Sequence, residues 1–466
     1  MLFVTATFAS FFLVVVVAHA AVAHRPALWR ATMIAASVVF YGWVEPFLAV
    51  LLLGYGVVTH LFGRWMAATA HKSAVSRVAV VSLIGVIAVT RHLARFAEFV
   101  VAAVSPAFEL SWNPQSAWVP LGISFLTFHA VAYVVDIKRG VCAPAPSISY
   151  TLTYLSFFPH LAAGPIVRPK AFFAQLDAGP SKNVDVTLAG TLICLGVVKK
   201  LLLADILFSA QGFVGEQPDA YSSGDITMWL YTAVVRIYLE ASSYADIAVG
   251  LGILLGVKLP ANFRRPFRSS SMSELWRRWH ITVMAWFRDY VFQPLVQRRR
   301  GWRMAAAAMA AMSLSGVWHG VGWGFLVWGV GNGVFLVIEG ALTQRRQRQR
   351  RLRRAPSTSR LWAGRMYVLT VMALLGPLFG GYSVHQTWEL WGAAGFGLPT
   401  TATIAAIVVF FATLAAHWSP EAWSQRLLSA VRRAPMGAQV LGVAVVLTVT
   451  AGLTSPGVAP FLYSQL

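Results

Sequence analysis

Long apolar stretches broken by short polar or Gly/Pro-containing segments set the pattern of this chain. Residues 2–22 and 28–62 predict two or three helices interrupted at Glu45-Pro46, and 75–90 predicts another. Residues 97–116 are mixed and proline-containing, which suits an interfacial loop. Trp118–Ile137 is a span punctuated by Gly122 and ending in Asp136, Lys138 and Arg139. Pro159, Gly164 and Pro165 forbid a regular full-length helix over 150–170, so that apolar segment reads as re-entrant or interfacial. The next span, 186–209, carries Lys199, Lys200 and Asp205, which pair or reach toward the membrane surface. Residues 226–257 read as two linked helices enclosing Arg236, Glu240 and Asp246, with Arg236 and Glu240 at the i,i+4 spacing of a simple ion pair. Three more apolar stretches follow at about 363–384, 400–417 and 437–454.

Two further segments have distinctive periods. In 271–290, positions Trp276, Trp279, His280, Val283, Trp286, Phe287 and Tyr290 recur every three to four residues, predicting one amphipathic helix capped by Ser271 or Ser273. Its aromatic face carries His280 and its opposite face is rich in Arg, so it suits either an interfacial helix on anionic lipid or a helix turned inward. Met304–Ile338 holds 35 residues without Lys, Arg, Asp or Glu. A crossing needs ~20 apolar residues, so this run is too long for one span and slightly short for two. With basic segments on both flanks, the chain is expected to enter the membrane and return, breaking at Gly316, Gly320, Gly322 and Gly324. Glycine tolerates the irregular backbone of such a break. His319 sits there, with Trp318 and Trp323 read as cavity wall.

The 466-residue composition is 57% hydrophobic and 12% charged, with a mean hydropathy of +0.63. Soluble domains carry about twice that charge fraction, so the chain is read as all-α and polytopic, one domain of about eleven crossings plus re-entrant and interfacial helices. Residues 1–140, 141–341 and 342–466 are its N-terminal helices, its core, and its Arg-rich loop with C-terminal helices. The net charge is +21, but 260–303 hold ten Arg against Glu274 and Asp289, and 345–360 hold eight Arg and no acid. That concentration beside apolar spans marks cytoplasmic loops on anionic lipid and argues against nucleic acid. Cys142 and Cys194 have no metal or redox spacing, and residues 1–23 lack a basic start, so they read as a retained first helix rather than a cleaved signal.

An ionisable residue in a membrane segment is costly and points to function before structure. The plainer reading of His319 is a packed, hydrogen-bonded histidine. A buried imidazole favours the neutral form and can accept a proton, which suits a general base.

Several long motifs then occur in order: Val39-Phe-Tyr-Gly-Trp43, Pro120–Phe128, Tyr133–Gly140, Phe157-Phe-Pro159, Ala163–Arg168, Tyr244–Gly250, Asn262-Phe-Arg-Arg-Pro-Phe267, Glu274–Tyr290 and Ser313–Gly320. With them the chain resembles the membrane-bound O-acyltransferase (MBOAT) family, and within it the bacterial alginate O-acetyltransferase (AlgI-type) branch. The resemblance implies helices ringing a central floor pierced by a tunnel, in the bacterial inner membrane. It implies catalytic roles for His319 and His280, acetyl-CoA as donor, no metal, an exported polysaccharide as acceptor, and periplasmic partners of the SGNH-hydrolase type. Arg264, Arg265, Arg277, Arg278 and Arg288 suit CoA phosphates or lipid equally, and Asn262, Asp289 and Ser315 are candidate substrate contacts from the same motifs. The chain departs from the branch at Leu239-Glu240-Ala241, at His160 and in the Arg-rich insertion 345–354, so the acceptor is read only as an extracellular polysaccharide. Other readings are a relative moving D-alanine or a fatty acyl group, a transporter with broken helices, though no repeated halves are visible, and a scaffold for periplasmic acetylation proteins.

Overall fold

The computed structural model describes residues 2–43, 46–86, 122–161, 164–212, 214–296, 301–320, 322–348, 357–398 and 400–453. The predicted loop 97–116, Glu45, the basic triplet 298–300 and most of the Arg-rich insertion lie outside the described residues. All regular structure among those described is helical. Where the sequence reads as one domain, contacts divide it into two compact units: Met1–Val184 with Gly252–Leu259, and Asp185–Leu251 with Pro260–Leu466.

The first unit contains α1 (Ala6–Val22), α2 (Pro26–Gly42), α3 (Pro46–Ala68), α4 (72–86), α5 (Ile123–Lys138), α6 (Ile148–Ser156), α7 (Phe158–Leu161) and α8 (Pro169–Ala178). Pro26, Pro46 and Pro169 each open a helix, where a missing N–H leaves no bond unmade. The segment read as re-entrant is a set of short helices, α6 to α8, joined through an extended stretch at Gly164–Arg168. That stretch is fastened to α5 by the Val167 N–H, which donates to His129 Nε2 at 3.1 Å. Tyr154 Oη donates to the Val167 carbonyl at 2.9 Å. His160, the departure from the branch pattern, is buried and stacks on His129 with ring centroids 4.4 Å apart.

The second unit holds α9 (Val186–Val197), a π-helical stretch Val198–Ala204 and α10 (Asp205–Gln211), then α11 (Ser223–Leu254), whose last turn belongs to the first unit. After α11 come α12 (Met272–Leu275), α13 (Ile281–Phe287), a π turn Arg288–Phe292, α14 (Gln293–Leu295), α15 (Gly301–His319) and α16 (Trp323–Arg348). The unit finishes with α17 (Thr358–Phe379), α18 (Val384–Ala393), α19 (Thr401–Trp418), α20 (Glu421–Arg433) and α21 (Met436–Leu453).

Three expectations are corrected. The pair of helices expected over 226–257 is one continuous helix, α11, because nothing between Ser223 and Leu254 is a proline and its charges are paired rather than turned outward. Arg236 Nε lies 3.6 Å from Glu240 Oε1, Lys200 Nζ 2.7 Å from Asp205 Oδ1, and Lys199 Nζ 2.6 Å from Asp246 Oδ2. The π-helical widening at 198–204 shifts the register of α9, so that consecutive lysines 199 and 200 both find acids. The single amphipathic helix expected over 271–290 is two short helices broken at His280. Helix α20 was not foreseen: it turns 92° from α19 and buries none of its residues, and it carries exposed Trp423 and Leu427 with Arg426, Arg432 and Arg433.

Among the described residues four helices are long and apolar enough to cross a membrane: Pro46–Ala68, Ser223–Leu254, Trp323–Arg345 and Thr358–Phe379. The bent α19–α20 pair makes a fifth. The expected eleven are not reached by length and composition; α1 and α21 are apolar but shorter. Burial separates their roles. In α11, 78% of the most apolar window is inside, against 28% in α3 and 22% in the α16 segment. Leu13, Val14, Phe47 and Val445 are among many large apolar side chains that face outward, the composition of a surface against lipid rather than water.

Helices α15 and α16 return on each other with glycine at every close point. A Cβ on Gly316 would meet the Phe325 carbonyl, one on Gly329 would come 2.5 Å from the Met312 carbonyl, and one on Gly333 2.7 Å from Met309 Sδ. Backbone cannot give way as a side chain can, so Gly329→Val is expected to cost about 1–3 kcal/mol or more of stability. It should lower the unfolding temperature in detergent, whereas Gly340→Ala, where the added Cβ meets nothing within 4 Å, should leave it unchanged.

Candidate functional site

The hairpin break leaves His319 as the last residue of α15, 7% exposed, with Trp318, Trp328 and Phe379 around it at centroid distances of 4.3, 5.5 and 4.5 Å. Glycine at 320 is required here because a Cβ would strike the Phe325 ring. The expected break in the 304–338 run is therefore where the structure turns. The two helices extend past the uncharged run at both ends, which is how 35 residues serve two helices.

The second histidine is reached by a different route. Ser271 caps α12 by accepting the Glu274 N–H at 3.1 Å, and the Glu339 carboxylate of α16 accepts the Met272 and Ser273 N–H groups at 2.7 and 2.9 Å. Free N–H groups at a helix start are thereby satisfied, and α12 is tied to the hairpin. The chain then breaks at His280, which has φ +43. His280 and Arg265 are the two non-glycine residues with positive φ among those described. Such backbone costs roughly 1–3 kcal/mol and persists where surrounding contacts hold it, commonly at functional sites.

Asn262 supplies those contacts. Its Oδ1 accepts from Thr282 N–H at 3.1 Å and Thr282 Oγ1 at 2.9 Å, and its backbone carbonyl accepts from Ile281 N–H at 2.8 Å. With Oδ1 fixed by a backbone donor, the amide nitrogen faces His280 Nδ1 at 3.1 Å. An amide N–H only donates, so Nδ1 accepts and the ring is held neutral with its proton on Nε2. Phe263 lies on the ring at 4.6 Å.

His280, His319 and Ser315 line one cavity of about 20 Å³, walled by Trp276, Trp279, Trp328, Val283, Ile237 and Phe379 with Gly376 at one edge. Two elements separated by the whole of α13–α15 thus converge on one small aromatic chamber. The tryptophans in its wall are not those expected. Trp323 is 77% exposed at the start of α16, and Trp318 touches His319 from outside the cavity lining. Trp276 and Trp279 were legible as an aromatic face, whereas Trp328 and Phe379 carried no signal beyond a glycine-rich neighbourhood.

The remaining candidates lie elsewhere. Arg264 and Arg265 line a separate cavity of about 550 Å³ with Lys199, Tyr238 and His417. Arg265 donates to the Ser419 carbonyl and to Ser424 Oγ, pinning the bend between α19 and α20. Arg278 pairs with Glu274 at 3.0 Å, Arg277 is exposed, and Arg288 pairs with Asp289 at 2.8 Å on the surface. No group of three or more His, Cys, Asp or Glu that could hold a metal ion occurs among the described residues.

An all-helical membrane protein with two histidines in one small aromatic chamber is the class that fold and site define. The family model for the membrane-bound O-acyltransferases (MBOAT) matches residues 119–385, and the chain belongs to that family. It is a multi-pass membrane protein. It is similar to the probable alginate O-acetylase AlgI of Pseudomonas aeruginosa, at 31% identity over 66% of this chain and 60% of that protein. It also resembles the peptidoglycan O-acetyltransferase of Helicobacter pylori, at 26% over 68% and 64%. A third relative is the teichoic acid D-alanyltransferase of Streptococcus thermophilus, at 31% over 49% and 58%. The chain thus spans less than two thirds of the length of these relatives.

Removing the amide that holds the broken helix takes from the Thr282 N–H and Oγ1 the acceptor they share, at about 1–3 kcal/mol. Asn262→Ala is expected to lower the unfolding temperature measurably, and Asn262→Asp to do the same by placing an acceptor against His280 Nδ1.

Proposed function

We propose that the protein is an O-acetyltransferase that takes an acetyl group from a thioester on the cytoplasmic side, acetyl-CoA, and transfers it to a hydroxyl of an exported polysaccharide. Transfer is direct or through a periplasmic partner of the SGNH type, and the enzyme sits in the bacterial inner membrane. The observation that carries this reading is the small aromatic chamber that His280 and His319 both line. Two of the three relatives described above act as O-acetylating proteins by name.

The chemistry asks little more than the chamber offers. A thioester is already activated, so the protein has to position it, take a proton from the acceptor hydroxyl, and keep water away. The hydroxyl oxygen bonds to the acetyl carbonyl carbon and the carbon–sulfur bond breaks. The hydroxyl proton passes through His319 to the departing thiolate, leaving an ester and a free thiol. His280, held by Asn262 with its proton on Nε2, is assigned to donate a hydrogen bond as negative charge develops. A volume of about 20 Å³ is near that of one water-sized probe; it favours a two-carbon acyl group over a fatty chain. The arginines at 264 and 265, with Lys199, give the larger basic cavity the character of a site for the phosphates of CoA.

The test is acetyl transfer from labelled acetyl-CoA by the purified protein in nanodiscs. His319→Ala is expected to lower the rate at least about 100-fold, the range of a lost general base, with an unchanged unfolding temperature. His280→Ala should also lower kcat. An inert wild type in the presence of envelope extract would instead favour a carrier-linked acyl donor, and an active His319→Ala would leave the protein a scaffold.

A further inference from the structure

Helix α20 differs from the helices on either side of it. Helices α19 and α21 are apolar over almost their whole length, whereas α20 holds Glu421, Arg426, Arg432 and Arg433 in 13 residues. Pro420 ends α19, because it has no N–H to extend the helical ladder; the last bond runs from Ser419 N–H to the Ala415 carbonyl at 2.9 Å. The chain leaves at 92° to α19. Two contacts fix that direction. Arg265 donates to the Ser419 carbonyl and to Ser424 Oγ at the start of α20. At the other end Arg432 pairs with Asp185, which caps α9 by accepting the Leu188 N–H at 3.0 Å. A polar-faced helix set across the end of one apolar helix and leading into another suits a position along the membrane surface.

The sides of α20 differ in chemistry. Glu421, Ser424 and Gln425 face the basic cavity. On another side Trp423, Leu427 and Ala430 recur at four and three residues, which makes one stripe. Trp423 is 63% and Leu427 67% exposed, and Ala430 is exposed as well. Arg426 and Arg433, both exposed, are two helical turns apart and run along one edge of that stripe. Among the described residues neither meets a carboxylate within salt-bridge distance. More tryptophan lies at the same end of the unit. Trp418, the last residue of α19, meets Trp362 at 4.7 Å, and Arg365 lies 4.5 Å over the Trp362 ring. Both Trp362 and Arg365 belong to the first turns of α17, directly after the basic segment 345–360. Tryptophan collects at the boundary between lipid and water, where arginine reaches lipid phosphates.

We propose that α20 is a lipid-binding helix that takes the headgroup of an anionic phospholipid on Arg426 and Arg433, with Trp423 and Leu427 set among its acyl chains. An apolar stripe alone would suit lipid of any charge, a second copy of the chain or a protein partner. The two guanidiniums along its edge select a phosphodiester with net negative charge. The stripe beside them calls for attached acyl chains, which a free phosphate lacks. Phosphatidylglycerol has this chemistry; phosphatidylcholine, whose phosphate is balanced by its own choline, does not. Because the inner side of α20 walls the basic cavity, lipid bound outside holds that wall in place. Such binding is independent of the acyl-transfer reading above.

Two experiments on the whole chain test this, in a background of Cys142→Ser and Cys194→Ala. In the first, Ala430→Cys is labelled with bimane in phosphatidylcholine nanodiscs, and phosphatidylglycerol or phosphatidylcholine with brominated chains is added in increasing mole fraction. Phosphatidylglycerol is expected to reach half-maximal quenching at a mole fraction at least about fivefold lower, the equivalent of one arginine on an anionic surface. Arg426→Gln with Arg433→Gln should abolish the preference, and Arg345→Gln, in the other basic segment, should retain it. Equal quenching by the two lipids overturns the anionic site. Quenching by aqueous iodide alone, or by neither reagent, puts the stripe in water or under protein and overturns lipid binding altogether. In the second, Gln425→Cys, which lines the basic cavity, is reacted with an impermeant maleimide. Labelling should be about threefold slower with phosphatidylglycerol present than in phosphatidylcholine alone, as for a ligand at twice its Kd holding the wall closed. The double arginine variant should label at the faster rate in both. Equal rates without the arginine changes would refute the hold on the cavity wall.

Discussion

The backbones of α15 and α16 approach so closely that Gly316, Gly329 and Gly333 each face a carbonyl or a Met309 atom within contact distance. Everything at the histidine chamber depends on that approach. It fixes where the hairpin turns, and therefore the depth at which His319 ends α15. It also places Glu339, one helix further on, to accept the first N–H groups of α12. Water is a poor competitor for such contacts in a membrane protein, and apolar side chains gain nothing by exchanging lipid for each other, so close backbone packing through small residues is the available source of cohesion.

Around that hairpin the polar groups are arranged to hold rather than to be exposed. Asn262 spends its side chain and its carbonyl on the residues that flank the left-handed break at His280. Without those bonds a β-carbon at positive φ would relax toward a regular helix, and the amphipathic period of 271–290 would be realised. The cluster on α11 works in the same manner. Arg236, Glu240 and Asp246 are met by Gln211, Lys200 and Lys199, and removing Lys199 would take from Asp246 the cation it meets at 2.6 Å. These pairs also face different cavities, since Arg236 lines the polar one and Lys199 with Asp246 the larger basic one.

Three cavities described in the second unit differ in size and chemistry. A small aromatic chamber holds the histidines. A polar, mixed donor–acceptor cavity shares its wall at Ile237 and Gly376. The aromatic group of Tyr238, Phe263 and Trp279 lies between a basic cavity and the histidine chamber, and Phe263 touches His280. Helix α20, lying at 92° to α19 with Trp423 and Leu427 outward, borders the basic cavity through Glu421, Ser424 and Gln425.

Much of this was determined by the sequence itself. Long apolar runs can satisfy their backbone only as helices, so the all-helical class, the hairpin over 304–338 and its turn among glycines follow from residue order, as does the Arg236–Glu240 pair from i,i+4 spacing. The choice of His319 as a candidate also follows, because an ionisable side chain in such a run has no inexpensive place to be. Tertiary structure decided the rest. A 3.6-residue period in 271–290 cannot show that Asn262, eighteen residues away, will hold a break at His280, and a tryptophan beside a histidine in sequence need not face the same space. Trp323 therefore points out while Trp328 points in. The meeting of His280 with His319 depends on which helix faces pack together, which no local pattern encodes.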